Sequence, residues 1–190
     1  MQTRARTASD DMAAPLDYET CLSRFGEKDR KTLSRHLANY EEKLGPGASG
    51  LWCRLVGRLM ALAPNPAKVV AQQAIQFFVP DGKYRRQVFA LQATDDGSLT
   101  IYARNALTEA VRDGVLSKPK ASDDPKSYRI RGSEETLIID LLDGQTPNPA
   151  PICKSMTGWN RKAVCITLPP HATPDQVRAA ERLCALAATE

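Results

Sequence analysis

Apolar residues recur at steps of three and four positions in two segments near the amino terminus, a spacing that places them on one face of a helix. The second segment predicts a helix from a cap at Ser49 to Leu62, with Arg54 and Arg58 on its solvent side. The first predicts a helix that ends before the Gly-Pro-Gly sequence at residues 45–47. Its apolar face consists of Leu33, Leu37, Tyr40 and Leu44.

A different pattern, rich in β-branched and aromatic residues or alternating between apolar and polar positions, predicts strands. The turn sequences Pro-Asp-Gly at residues 80–82 and Asp-Gly at residues 96–97 join the first three strands into a meander. The predicted strands span residues 75–79, 84–93, 99–103, 128–131, 136–142 and 163–168.

Three further helices are predicted between and after these strands. A short one over residues 67–73 follows the Asn-Pro sequence, which resembles a cap with proline at the first helical position. Asn105 is expected to cap another over residues 106–115. Residues 173–176, Thr-Pro-Asp-Gln, form a capping box and begin a closing helix that runs to about Ala188.

Together these elements predict an α+β fold: a mostly antiparallel sheet of about six strands with helices packed on one face. Residues 48–190 are expected to form this single α+β domain. Residues 18–47 are expected to be a helical N-terminal extension. Residues 1–17 have no periodic apolar pattern, so a flexible arm is predicted there.

A resemblance to a known family rests on three short segments. The first is a predicted strand and turn, residues 75–80 with Gly82 and Lys83, and the second is a strand that leads into a helix, residues 101–102 with 106–111. The third is the last predicted strand, residues 162–169, followed by Pro174. Together they resemble the YdhG-like, frataxin-like small α+β domains over about residues 48–188. That family is known largely as one of unknown function, and some members are described as intracellular iron chaperones. This chain differs by an inserted hairpin and by basic rather than acidic residues beside its strands. Because ferrous iron favours clustered carboxylates or imidazoles, no iron site is predicted.

Composition limits the class of protein. Of the 190 residues, 42% are hydrophobic and 25% are charged, which is typical of a globular chain, and no apolar run approaches the roughly 20 residues that span a bilayer. The five cysteines have no close pair, which disfavours a disulfide framework and a zinc knuckle. Neither His36 nor His171 has a partner at metal-ligand spacing. We expect a soluble, cytoplasmic protein without cofactor, structural metal or membrane contact.

Basic and aromatic residues concentrate in the middle of the chain. Residues 48–131 contain 13 basic and 7 acidic side chains, and this excess of positive charge favours acidic partners. Side chains two positions apart on a strand share a face, so the sequence predicts a surface on the sheet. Its members are Tyr84, Arg86, Tyr102, Arg104, Arg129 and Arg131, with Trp159, Arg161 and Lys162 beside the last strand.

The predicted function is a non-catalytic binding or adaptor module that uses this basic and aromatic sheet face to bind an acidic protein surface or nucleic acid. Two other functions stay open at this point. One is a small intracellular enzyme with a cleft near Cys153, Trp159 and His171, since Lys154 beside the thiol can lower its pKa. The other is a nucleic-acid-binding protein that contacts phosphates and stacks bases on aromatic rings. Tyrosines packed under helices and solvated arginines are the competing explanation.

Overall fold

The computed structural model describes residues 17–44, 46–70, 74–142 and 163–188, and these form five helices and eight strands. The helices are α1 (Tyr18–Ser23), α2 (Glu27–Leu44), α3 (Pro46–Leu62), α4 (Leu107–Arg112) and α5 (Pro174–Ala188). The strands are β1 (Asn65–Val70), β2 (Ala74–Asp81), β3 (Tyr84–Ala93), β4 (Leu99–Arg104), β5 (Leu116–Ser117), β6 (Ser127–Ile130), β7 (Thr136–Leu142) and β8 (Ala163–Leu168). Of the predicted arm, only Asp17 is described; its carboxylate accepts a hydrogen bond from the Thr20 N–H and caps α1.

All eight strands belong to one open sheet in the order β1-β2-β3-β4-β8-β7-β6-β5, and every neighbouring pair is antiparallel. The first four strands form a meander. Strand β8 lies beside β4, and the chain segment β5–β7 continues the sheet on its far side. The predicted α+β class and antiparallel sheet are confirmed, but the sheet has eight strands where about six were predicted.

One of the two extra strands, β1, includes residues 67–70 of the short helix predicted at residues 67–73, so that prediction is wrong there; residues 71–73 lie outside the described ranges. Ala67 and Val69 are buried and Lys68 between them is exposed, which is the alternation of a strand. Val69 pairs with Ile75 on β2. The Asn-Pro sequence that suggested a helix also suits an edge strand, where the missing proline N–H needs no partner.

The other extra strand, β5, has two residues and pairs with the end of β6. It follows α4, which ends at Arg112 and is shorter than the helix predicted over residues 106–115. Gly114 stops the helix with φ 71°, a left-handed conformation that glycine adopts without strain. A two-residue strand carries no periodic pattern, so β5 could not be predicted from the sequence.

Helix α3 begins at Pro46, so Ser49 lies within the helix and is not its cap. The predicted exposure of Arg58 is wrong, because this side chain is only 2% exposed. The cause is that α3 contacts α1, α2 and α5 and therefore has little free surface. From α2, the Tyr40 hydroxyl donates a 2.7 Å hydrogen bond to the Gly97 carbonyl, and burial raises the pKa of Tyr40.

A continuous apolar core joins the sheet to the helices. Leu91, Ile101, Ile166 and Ile139 stand opposite one another across β3, β4, β8 and β7, and all four are buried. The same core contains residues of the predicted helical extension, namely Cys21, Phe25, Leu33 and Tyr40. Helix α5 contacts strands β3, β4, β6, β7 and β8. In the described ranges, no helix is both long enough and apolar enough to cross a membrane.

Candidate functional site

Tyr102 and Arg104 lie on β4, next to the middle of the sheet, and both are half-buried. Tyr102 stands opposite Ala90 and Cys165. Cys165 is also half-buried and alternates with the core residue Ile166. Burial raises the pKa of the Cys165 thiol to about 11, so this face does not hold an activated thiolate.

The register separates these residues from Arg129. Arg104 stands opposite Ala163, which stands opposite Leu142 at one end of β7. Arg129 stands opposite Thr136 at the other end of β7. Three strand spacings across the sheet and six residues along it correspond to about 14 Å and about 20 Å. The predicted surface is therefore not one continuous strip.

The remaining predicted residues are also dispersed or lie outside the described ranges. Tyr84 is 70% exposed, and the Lys83 Nζ lies 5.2 Å from the centre of its ring. Arg86 is half-buried and pairs with Val79 on β2. His171 is exposed in the turn before α5. The predicted residues outside the described ranges are Cys153, Trp159, Arg161 and Lys162.

Arg131 differs from its predicted position because β6 ends at Ile130, one residue earlier than expected. The Arg131 N–H donates a 3.1 Å hydrogen bond to the Val115 carbonyl. Its side chain lies across Gly114, where a Cβ atom would be 2.9 Å from the guanidinium Nη1. Gly132, with φ 80°, then turns the chain back toward β7. Arg131 is thus positioned beside α5.

Arg131 lines a cavity of about 330 Å³ between α5 and the turns after α4 and β6, which we call the arginine cavity. Arg178 and Arg182 line it from α5, and Arg178 forms an ion pair with Asp175. Within the described part of the chain, neither Arg131 nor Arg182 has a carboxylate partner. The described residues that line it are Gly114, Val115, Ile130, Arg131, Gly132, Ser133, Asp175, Arg178, Ala179 and Arg182.

Three hydrogen bonds hold the start of α5 in place. The predicted capping box is confirmed: the Gln176 N–H donates to the Thr173 Oγ1 at 3.3 Å, and the Thr173 N–H donates to the Gln176 Oε1 at 3.0 Å. The Gln176 Nε2 donates to the Thr136 carbonyl on β7 at 2.9 Å. These bonds fix the turn of helix that carries Asp175 and Arg178.

A bidentate ion pair anchors α5 one turn further along. The Arg54 Nε and Nη2 donate to the Glu181 carboxylate at 2.7 and 2.9 Å. Glu181 precedes Arg182, so the pair fixes the helix directly behind the cavity. Because helix positions three and four apart share a face, Arg178 and Arg182 are presented together from a rigid support.

The arginine cavity has the chemistry of a site for an anion. A guanidinium group offers several N–H donors in a plane and forms paired hydrogen bonds with a carboxylate or a phosphate. Among the described residues that line the cavity there is no cysteine or histidine, and the Ser133 hydroxyl accepts a hydrogen bond from the Glu135 N–H at 3.2 Å. The described residues also contain no group of three or more His, Cys, Asp or Glu side chains able to hold a metal ion.

Neither Arg178 nor Arg182 was predicted as a site residue. Their four-residue spacing, with Asp175 three positions before Arg178, is typical of the solvated face of a helix. The contact that defines the cavity is between Gly114, after α4, and Arg131, after β6. Only the fold shows that these two positions meet.

Comparison of the chain with models of known protein families, with curated proteins and with solved structures finds no match. The resemblance to the YdhG-like domains therefore stays a prediction. The function of the arginine cavity has to be inferred from the residues that line it.

Proposed function

We propose that the protein is a non-catalytic binding module that takes up an anionic group of its partner, a carboxylate or a phosphate, in the arginine cavity. One observation carries this proposal: three guanidinium groups, from Arg131, Arg178 and Arg182, converge on one cavity whose described lining includes one carboxylate, that of Asp175. Ligand pockets in proteins have volumes of about 300 Å³ or more, and the arginine cavity, at about 330 Å³, accommodates a small group.

The charges explain why an anion is the expected occupant. Asp175 is already engaged with Arg178, so the positive charges of Arg131 and Arg182 are left without compensation by the described residues. Like charges brought together repel one another unless an anion lies between them. The Arg131 side chain passes close over Gly114 and is exposed, so its guanidinium is accessible to an anion in the cavity.

This proposal retains the acidic partner predicted from the sequence and moves its site from the sheet face to the arginine cavity. Arg131 belongs to both. Nucleic acid is less well supported, because no aromatic residue is among the described residues that line the cavity and could stack a base. The predicted enzyme likewise gains no support from the described residues.

Two finer predictions belong to the same proposal. The first is that the helices cover one face of the sheet; the contacts of α5 with five strands support it. The second is a cytoplasmic location, which is supported by the absence of a disulfide among the four described cysteines.

Loss of two arginines from the cavity tests the function. In the variant Arg131→Ala/Arg182→Ala, we expect inorganic phosphate and citrate to bind at least about tenfold more weakly than to the unmodified chain, since each charge-assisted hydrogen bond contributes about 1.5–3 kcal/mol. Titration followed by amide and arginine side-chain NMR signals measures both affinities. Circular dichroism checks that the fold is retained.

The matched control removes the same charge elsewhere. Arg30 and Arg35 are exposed on α2, which contacts β1 at the sheet edge opposite β5 and β6. Arg30→Ala/Arg35→Ala should leave phosphate and citrate binding unchanged. If both double variants weaken binding equally, or neither does, the arginine cavity is not the anion site.

Gly114→Ala tests the positioning of Arg131. Its Cβ would displace the guanidinium, so phosphate binding should weaken about threefold, and the left-handed φ should lower the free energy of unfolding by about 1–2 kcal/mol. Gly82→Ala is the control, since Gly82 also has a positive φ but no atom within 4 Å of the added Cβ. It should lose similar stability in urea and keep full binding. If Gly82→Ala weakens phosphate binding, or if Gly114→Ala leaves it unchanged, Gly114 does not position the Arg131 guanidinium.

A further inference from the structure

We infer that the arginine cavity is one end of a longer groove that binds an extended acidic peptide segment of a partner protein. This inference rests on the proposed anion-binding function and names its partner class. Two more cavities lie next to the first. The second, of about 350 Å³, shares Ile130, Arg131, Gly132 and Ser133 with the arginine cavity. The third, of about 490 Å³, shares Ser117 and Arg129 with the second.

We call these three cavities together the edge groove. It follows the β5–β6 border of the sheet from the arginine cavity to the loop after β5. Lys118 and Lys120 line its far end. The groove therefore has basic side chains at both ends and Arg129 in the middle.

In the middle of the edge groove, Arg129 forms an ion pair of 3.7 Å with Glu134, so the basic residues free to bind a ligand are those at its two ends. In the described ranges, neither Lys118 nor Lys120 has a carboxylate partner. Asp123 instead accepts a hydrogen bond from the Lys120 backbone N–H at 3.1 Å, and Asp124 accepts one from the Lys126 backbone N–H at 2.9 Å. These two carboxylates shape the loop. Lysine ammonium groups on flexible stems remain available for a ligand's charges.

The mixed charge of the groove favours a peptide over nucleic acid. Asp123, Asp124 and Glu134 also line it, and they would repel the evenly spaced phosphates of a polynucleotide. A peptide can place its acidic side chains opposite the two basic ends and neutral residues opposite the carboxylates. In addition, no aromatic residue is among the described residues that line the three cavities, so bases would find no stacking surface.

An extended conformation is expected because the groove follows a sheet edge. Extended chain advances about 3.3 Å per residue, so a segment of ten residues spans about 33 Å. The two-residue length of β5 keeps the edge short, which leaves side chains, rather than a long backbone ladder, to select the ligand.

The experiment uses a fluorescein-labelled ten-residue peptide that alternates glutamate with serine, and fluorescence anisotropy at low salt. Lys118→Ala/Lys120→Ala should weaken peptide binding at least about fivefold and leave phosphate and citrate binding unchanged. Arg131→Ala/Arg182→Ala should weaken the binding of all three. The control Arg30→Ala/Arg35→Ala should weaken none.

The outcomes separate the two proposals. If Lys118→Ala/Lys120→Ala binds the peptide as tightly as the unmodified chain, the groove inference is wrong and the anion site stands. If Arg131→Ala/Arg182→Ala binds phosphate and citrate normally, the proposed function itself is wrong. The binding of a labelled oligothymidylate with the same net charge as the peptide is measured in the same way. Tighter binding of the oligonucleotide than of the peptide overturns the assignment of a peptide partner.

Discussion

Glu181→Ala is expected to lower the free energy of unfolding by about 3 kcal/mol, because it removes the carboxylate from a largely buried ion pair between α3 and α5. Glu181 is 5% exposed and receives two hydrogen bonds from Arg54. Arg58 is buried as well. The charges of Arg58 and Glu181 both influence the pKa of the Cys184 thiol, which is raised to about 12, chiefly by burial. Loss of Glu181 therefore leaves buried positive charge with less compensation. The loss lies at the lower end of the range for buried pairs because the Arg54 side chain is 44% exposed and water already screens part of the interaction.

Urea denaturation at pH 7 measures this loss. The matched control is Glu27→Ala, which removes the ion pair between Glu27 and Lys31 on α2, 3.0 Å long with both side chains more than three-quarters exposed. Exposed pairs of this kind contribute less than about 0.5 kcal/mol. Equal losses in the two variants would show that the pair to Arg54 does not hold α5 in place.

Phe89→Ala is expected to have the largest effect, a loss of about 4 kcal/mol, because it opens a cavity in the centre of the core. Phe89 is fully buried on β3 and stands between Phe77 on β2 and Ala103 on β4. Phe77 is also fully buried, so the two residues belong to one buried row across neighbouring strands. The surrounding strands are fixed by their pairing and cannot collapse into the space that the ring leaves.

The control is an aromatic residue on the same strand. Tyr84→Ala should change stability by less than about 0.5 kcal/mol, since the Tyr84 side chain is mostly exposed. Thermal and urea unfolding of the two variants give the comparison. A loss below about 1.5 kcal/mol for Phe89→Ala would mean that this row does not form the centre of the core.

Long segments with a consistent pattern could be predicted from the sequence. The meander of β2, β3 and β4 follows from apolar and aromatic runs separated by turns that need glycine, and Gly82 and Gly97 indeed have positive φ. Thr173 and Gln176 predicted the start of α5 because a capping box satisfies two N–H groups at a defined spacing. In both cases, the signal is local.

Features that depend on tertiary contacts could not be predicted in this way. Arg58 looks like a solvent-facing residue of an amphipathic helix, and it is buried because α3 is packed against other helices, among them α5, which lies more than a hundred residues later in the chain. Arg129 and Arg131 are two positions apart and would share a face of one strand, but β6 ends at Ile130, between them. The arginine cavity unites residues after α4, after β6 and on α5, and nothing in the local sequence specifies that these three segments meet.

Strand β8 is one of the last elements of the described chain, yet it occupies a central place in the sheet, between β4 and β7. During synthesis on the ribosome, β1–β4 and β5–β7 emerge before it, and each group has an open edge where β8 will later pair. Open edges of this kind pair readily with strands of other chains. The nascent protein is therefore most prone to aggregation just before β8 appears, and its folding rate is limited by contacts between distant parts of the chain.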